Sequence, residues 1–314
     1  FNDQFPVRDF WTKETTAVKK AMGAKDAGGV YIGKNHYYFS KVMQQDISQT
    51  NYYQNLRFVQ YLADRQKDAH VMAMLVPSPG TILEEYLPSH ATLYDADTMY
   101  REAEKTWRDI TQIDLRSALL QQKQSQQVYF KTDHHWTLQG AYAGYQAYCE
   151  AAGLKAAAYD QLNIQAESED FYGTLYSKAL DGDAVPDTLY ALKPETEVEV
   201  TCDGQKRDGI YDAEKLKEKD QYAYFFGGNY GEVHISSKKN VTNAGKKLFV
   251  IKDSFANSMV PFLLGDYEQI KMLDLRYYKG SVASLLDEYA PQDILVLYEM
   301  SNFAQDEKLN LLTK

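Results

Sequence analysis

Continuous apolar runs alternate with helical stripes along this chain, and that rhythm limits the fold more than any other feature. His70–Pro77 (HVMAMLVP) is apolar almost throughout and ends at Pro77-Ser78-Pro79-Gly80. Leu248–Ile251 and Asp293–Leu297 are runs of the same kind. A strand apolar on both sides is buried on both faces, as in a parallel sheet. Between the runs, apolar residues recur at helical spacing. Leu56, Val59, Leu62 and Ala63 mark a helix over Tyr52–Arg65. Ala96–Arg108, Arg116–Gln122, Phe255–Leu264 and Ser281–Tyr289 read as further helices. Thr137–Ala152 is the clearest, with Thr137 as N-cap and Gly153 as C-cap. Thr111–Leu115, Gln127–Lys131 and Ile270–Leu275 read as additional strands, and the stretch 29–39 as a short hairpin. Strands alternating with helices imply an α/β fold with a mostly parallel sheet and right-handed crossovers.

Residues 1–28 are polar and irregular, apart from a helix around Thr12–Met22. Residues 154–245 lack the rhythm. They carry short Tyr- and Val-rich pieces (Val198–Thr201, Tyr222–Phe226) and read as an insertion of short strands and loops in one domain spanning 1–314.

In an open α/β sheet, ligands bind beyond the carboxyl ends of the strands. Asp133, Ser254, Asp274 and Glu299 each follow an expected strand, so all four fall at that edge. Ser254 sits at a strand-to-helix turn, where free N–H groups can hold an oxyanion. The alternative is an ordinary N-cap formed by Asp253 or Ser254. A serine nucleophile needs an imidazole base, and the base needs an orienting carboxylate. In extended backbone, residues i and i+2 point to the same side. Asp133 and His135 then converge while His134 points away. A metal held by Asp133, His134 and His135 is the competing reading. Metal sites usually draw ligands from several segments, whereas His36, His70, His90 and His234 stand alone, so neither metal nor cofactor is expected.

Composition narrows the partners. A net charge of -10 argues against nucleic acid. No apolar run reaches the roughly 20 residues of a membrane span. Tyrosine outnumbers phenylalanine, 26 to 13. Its flat ring and hydroxyl tip suit polar ligands such as sugars, although most such residues serve the core and its rim. Cys149 and Cys202 make no disulfide framework and show no metal spacing. The sequence opens at Phe1 rather than Met. That leaves room for an N-terminal signal or anchor ahead of it, and its absence from this sequence says nothing about compartment.

Lys131-Thr132-Asp133-His134-His135-Trp136-Thr137 resembles the signature of the DHHW family of bacterial surface proteins. The stretches 171–177, 227–230, 252–258 and 274–278 resemble that family too, in its order. The family is similar to the alginate O-acetyltransferase-like branch of the SGNH hydrolases. The resemblance implies a flavodoxin-like, three-layer core and a Ser-His-Asp triad in which Asp-x-His precedes the serine. Asp133 and His135 match that pair, and Ser254 matches the nucleophile. Lys252 stands where the branch carries glycine in Gly-Asp-Ser. Such enzymes complete the oxyanion hole with a glycine and an asparagine, for which Gly228 and Asn229 are the first candidates and Asn302 the second. A plain Gly-Gly-Asn turn is the alternative for the first pair. Trp136 and Arg276 are candidate substrate contacts, with an ion pair to Asp274 as the other reading of Arg276. The resemblance implies an acyl, chiefly acetyl, transferase or esterase acting on an exported polysaccharide, at an extracellular or cell-surface location reached through an N-terminal signal or anchor absent from this sequence. A membrane acyl-transfer partner would supply the acyl groups. A non-catalytic glycan-binding scaffold is the alternative.

Overall fold

The computed structural model describes residues 8–237 and 241–314. The first seven residues of the expected irregular start, and 238–240 of the expected insertion, lie outside the described residues. Helix α1 (Arg8–Ala21) leads into a small antiparallel sheet of β1 (Asp26–Ala27), β2 (Val30–Ile32) and β3 (Tyr38–Ser40). Then come α2 (Gln49–Arg65), β4 (His70–Val76), α3 (Pro79–Ile82), α4 (Ala96–Thr106), β5 (Thr111–Ile113), α5 (Arg116–Gln122) and α6 (Leu138–Ala152). A second antiparallel pair, β6 (Ile164–Phe171) and β7 (Asp187–Leu192), flanks α7 (Thr174–Ala179). The chain continues through β8 (Val198–Cys202), β9 (Gln205–Arg207), β10 (Glu232–Ser237) and β11 (Asn243–Lys252). It closes with α8 (Ala256–Met259), β12 (Tyr267–Leu273), α9 (Val282–Tyr289), β13 (Asp293–Glu299) and α10 (Met300–Gln305).

Eight strands form the main sheet, in the order β5-β4-β13-β11-β12-β10-β8-β9. The first five run parallel. The last three join antiparallel, so much of the 154–245 excursion widens the sheet. Alternate residues of the apolar runs feed two cores. Met72, Met74, Val250 and Leu295 pack with Leu138, Ala141 and Tyr145 of α6. Val71, Ala73, Phe249 and Val296 pack with Leu56 and Val59 of α2, Tyr100 of α4 and Leu286 of α9. Each of the Val, Leu, Met and Phe side chains among them contributes about 1.5–3 kcal/mol by leaving water. Tyrosine is a core residue here. Tyr129, Tyr145, Tyr148, Tyr224, Tyr267 and Tyr298 are fully buried. Some pair their hydroxyls inside, as Tyr267 does with Tyr148 (2.6 Å) and Asp293 (2.7 Å).

Three expectations are corrected. Gln127–Lys131 is no ladder strand; its one sheet-like contact is a bridge between Tyr129 and Trp136. The stretch 127–137 folds back on itself, with Phe130 N–H bonded to His135 O and Thr137 N–H to Val128 O. The expected helix Phe255–Leu264 is α8 followed by a 3-10 stretch from Val260, because Pro261 offers no N–H to an α-helix. Gln221–Tyr224 is a 3-10 turn rather than a strand. No described helix is long and apolar enough to cross a membrane.

Candidate active site

The 131–136 turn is held by a carboxylate from another segment. Asp187, at the start of β7, accepts Lys131 N–H (3.0 Å), Thr132 N–H (2.9 Å) and Thr132 Oγ1–H (2.7 Å). Within the turn, Asp133 Oδ1 accepts His135 N–H at 2.9 Å and lies 2.6 Å from His135 Nδ1. Asp133 Oδ2 accepts the backbone and hydroxyl hydrogens of Thr174 at 2.7 and 3.0 Å. Gly173 allows that approach: a Cβ there would stand 2.3 Å from Asp133 Oδ2. Burial alone would raise the Asp133 carboxyl. The His134 and His135 imidazoles and the Thr174 N–H outweigh burial and hold it well below the usual carboxylate range.

Ser254 follows β11, whose parallel pairing with β13 runs to Lys252. Asp253 braces the turn. Its Oδ1 accepts Phe255 N–H, and its Oδ2 accepts Glu299 N–H and Asn302 Nδ2–H, at 2.8–2.9 Å. Ser254 Oγ lies 2.7 Å from His135 Nε2. Asp133, His135 and Ser254 thus form one hydrogen-bonded row, all three side chains buried and Ser254 9% exposed. The Tyr222 ring stacks on His135, centroids 3.7 Å apart and 6° from parallel. Its hydroxyl donates to Ser254 O (3.3 Å) and Ser258 Oγ (3.0 Å).

His134 turns to Thr174, with Nδ1 2.8 Å from Oγ1. Burial, reinforced by the His135 imidazole, pushes its pKa below the usual value, against the pull of Asp133. Asp133, His134 and His135 each offer a ligand atom within 4.8 Å of the others, close enough to share a cation. Both Asp133 oxygens, His134 Nδ1 and both His135 nitrogens already have protein partners.

The remaining candidates separate. Trp136 is fully buried beneath the nucleophile turn and donates its indole N–H to Phe255 O and Ser258 Oγ. It supports the turn and offers no surface to a substrate, which corrects that expectation. Gly228 N–H is taken by Phe225 O at 3.2 Å, so the glycine closes a turn and has no free N–H for an oxyanion. Asn229 Oδ1 accepts from Lys252 and Asn257, each at 3.2 Å. Asn302 gives its amide to Asp253. Arg276 grips Asp274 at 2.9 and 2.6 Å, the ion-pair reading rather than a free anion contact. Sequence reasoning missed Asp187 and Tyr222, and it gave no role to Gly173 and Thr174, which lie in the family-like stretch 171–177. A cleft of about 350 Å³ is lined by His134, the neighbour of the row in sequence, and by Asn302, Ser78, Tyr94, Lys178 and Glu299; Asp133, His135 and Ser254 do not line it.

Solved structures with the same fold include a DHHW family protein from Eubacterium siraeum. It is 21% identical, has a TM-score of 0.76, and the alignment covers 92% of this chain and 96% of that one. Bacillus cereus PatB1, in a structure with a sulfonyl adduct, is 24% identical with a TM-score of 0.73, over 88% and 98% of the two chains. The fold is the SGNH-like α/β type. A curated relative, the probable alginate O-acetylase AlgJ of Pseudomonas putida, is 24% identical over 162 residues, half of this chain and 42% of that protein. The chain thus spans less than half the length of the curated relatives it matches. The profile of the family described as DHHW protein matches residues 12–273, and the chain belongs to that family.

Proposed function

We propose that the chain is a serine-dependent O-acyltransferase or esterase acting on acetyl groups of an extracellular polysaccharide. One observation carries this reading: the row Ser254 Oγ, His135 Nε2, His135 Nδ1 and Asp133 Oδ1, with links of 2.7 and 2.6 Å. The name of the relative, probable alginate O-acetylase AlgJ, supports the acetyl and polysaccharide parts.

In this mechanism Asp133 holds the His135 Nδ1–H tautomer, leaving Nε2 as acceptor. Ser254 Oγ attacks the acyl carbonyl while its proton passes to Nε2. The tetrahedral oxyanion is met by N–H donors at the turn, the Ser254 N–H among them. Collapse breaks the bond to the donor's oxygen, which leaves with the proton from His135. A sugar hydroxyl, or water, then gives its proton to His135 and attacks the acyl-serine; the acyl–Oγ bond breaks and His135 returns the proton to Ser254 Oγ. The Tyr222 stack and the Asp187-held turn keep the imidazole in place, so little reorganisation precedes attack.

The purified protein should release nitrophenol from a small acetyl ester, and Ser254→Ala should remove that activity. Equal rates in the two proteins sink the reading. Oligosaccharide binding with no labelling of Ser254 by a fluorophosphonate points instead to a glycan-binding protein.

A further inference from the structure

Behind the Ser254 turn lies a buried cation that the mechanism above does not use. Lys252 ends β11 with its side chain 1% exposed. Its ammonium donates to Asn257 Oδ1 at 2.8 Å and to Asn229 Oδ1 at 3.2 Å. Asp274 Oδ2 is 3.9 Å away, its oxygens already gripped by Arg276, so the direct donors of Lys252 go to amides. Asn257 Nδ2 donates to Asn229 Oδ1 as well, at 3.2 Å.

An ammonium has three donors and no lone pair. Each amide that meets it must present its oxygen. The flip open to an asparagine side chain is therefore closed for both residues. Asn229 takes two donors on its oxygen, so its NH2 group turns out of the network. That group has no hydrogen-bond partner among the described residues. Asn257 lies in α8, three residues after Ser254, and Asn229 is exposed in the neighbouring 227–230 turn. Burying an ammonium is costly, and an apolar side chain would fill the position without that cost. A charge retained here calls for a role.

We propose that Lys252 is a positioning residue of the acyl-transfer site: it locks Asn257 and Asn229 so that Asn229 Nδ2 is held out as a donor to the oxyanion formed at Ser254. The proposal rests on Ser254 being the nucleophile. It explains how a lysine in place of glycine before the Asp-Ser pair serves the same chemistry. Burial also lowers the Lys252 pKa, to about 8, with Asp274 and Asp253 opposing and Arg276 reinforcing. Cys202 also faces it. Loss of the proton gives the amine a lone pair and loosens the lock.

Fluorophosphonate labelling of wild type but not of Ser254→Ala first establishes the nucleophile independently. Kinetics on a small acetyl ester then test the lysine. Asn229→Asp keeps an oxygen for Lys252 but has no N–H to donate. Asn229→Asp and Asn229→Ala should each lower kcat by about 100-fold, the usual effect of losing one oxyanion donor, with KM little changed. Lys252→Met should act mainly on kcat too, and the Lys252→Met/Asn229→Ala double variant should be no slower than the slower single. Wild-type kcat should fall as pH rises past about 8, and Asn229→Ala should show no such fall. Full kcat in Asn229→Asp, multiplied losses in the double variant, or the same alkaline profile in wild type and Asn229→Ala overturns the proposal. The first and third of these outcomes need no folded Lys252 variant.

Discussion

Burial draws Lys252 from its ordinary 10.5 to about 8, and the sign of that shift predicts how stability responds to pH. Below pH 8 the lysine is charged in both the folded and the unfolded chain, so folding carries the full desolvation penalty. Between about 8 and 10.5 the folded chain has shed the proton while the unfolded chain keeps it. Stability rises with pH wherever the unfolded chain binds more protons. Wild type should therefore gain on Lys252→Met across pH 8–10, by at most roughly 1.4 kcal/mol per pH unit. Urea denaturation of both proteins at pH 7, 8, 9 and 10 checks this, and a constant difference between them refutes the assignment. At this scale the sequence was legible where chemistry is local. Asp133 and His135 stand two residues apart, and Ser254 stands at a strand end. Asp187, Gly173 and Tyr222 were not legible, because each acts on a segment 30 or more residues away. Asp187 reads as an ordinary strand start, and Gly173 shows its purpose only once Asp133 lies against it.

The strands legible in the sequence were those buried on both faces: β4 and β13 are apolar almost without break, and β11 is apolar over Leu248–Ile251. The expected strand at 127–131 failed for a physical reason. Asp187 satisfies the N–H groups of Lys131 and Thr132, so the segment needs no neighbouring strand there. β10 alternates between half-buried and buried positions, the period-2 mark of an antiparallel strand with one face less covered. It was hidden among the charged turns of the excursion. The α6 helix was legible from its caps: Thr137 accepts Gly140 N–H, and Gly153 is left-handed at φ 68°. Its glycines were not explained by helix rules. A Cβ on Gly140 would stand 2.2 Å from Val128 O and 2.9 Å from Trp136 Cβ, and one on Gly144 about 3 Å from the Trp136 ring. The helix thus lies directly on the turn that carries Asp133 and His135. Gly140→Ala should force the two apart and destabilise by about 1–3 kcal/mol, the range for overpacking, despite the better helix propensity of alanine. Thermal melts measure it, and a Tm equal to or above wild type contradicts the packing argument.

The candidate site draws on the 131–136 turn, the Gly173–Thr174 step, Tyr222 and the end of β11, so it exists only when distant parts of the chain are folded together. The antiparallel strands bear on that unity. β10 pairs with β12 over five residues, and Val200, Cys202, Val233 and Ile235 share one apolar cluster with Val250, Met272 and the α6 helix. A region with its own core would have no reason to share this one. We therefore expect the widened sheet and the parallel core to unfold as one unit. The two cysteines report on the two parts. Cys149 lies on α6 and Cys202 ends β8, both buried and unpaired. Burial pushes their thiols up, to about 12 and about 11. Only the thiolate attacks a disulfide reagent, so both should be inert to one at pH 8 in the native protein. With increasing denaturant, the two should become reactive over the same transition, because each needs the same global opening. Mass spectrometry after pulse labelling distinguishes the sites. Modification of Cys202 at denaturant concentrations that leave Cys149 protected would show that the antiparallel strands open by themselves. Tyr222 and Asn229 lie between β9 and β10, so the site would then be dismantled from that side before the core unfolds.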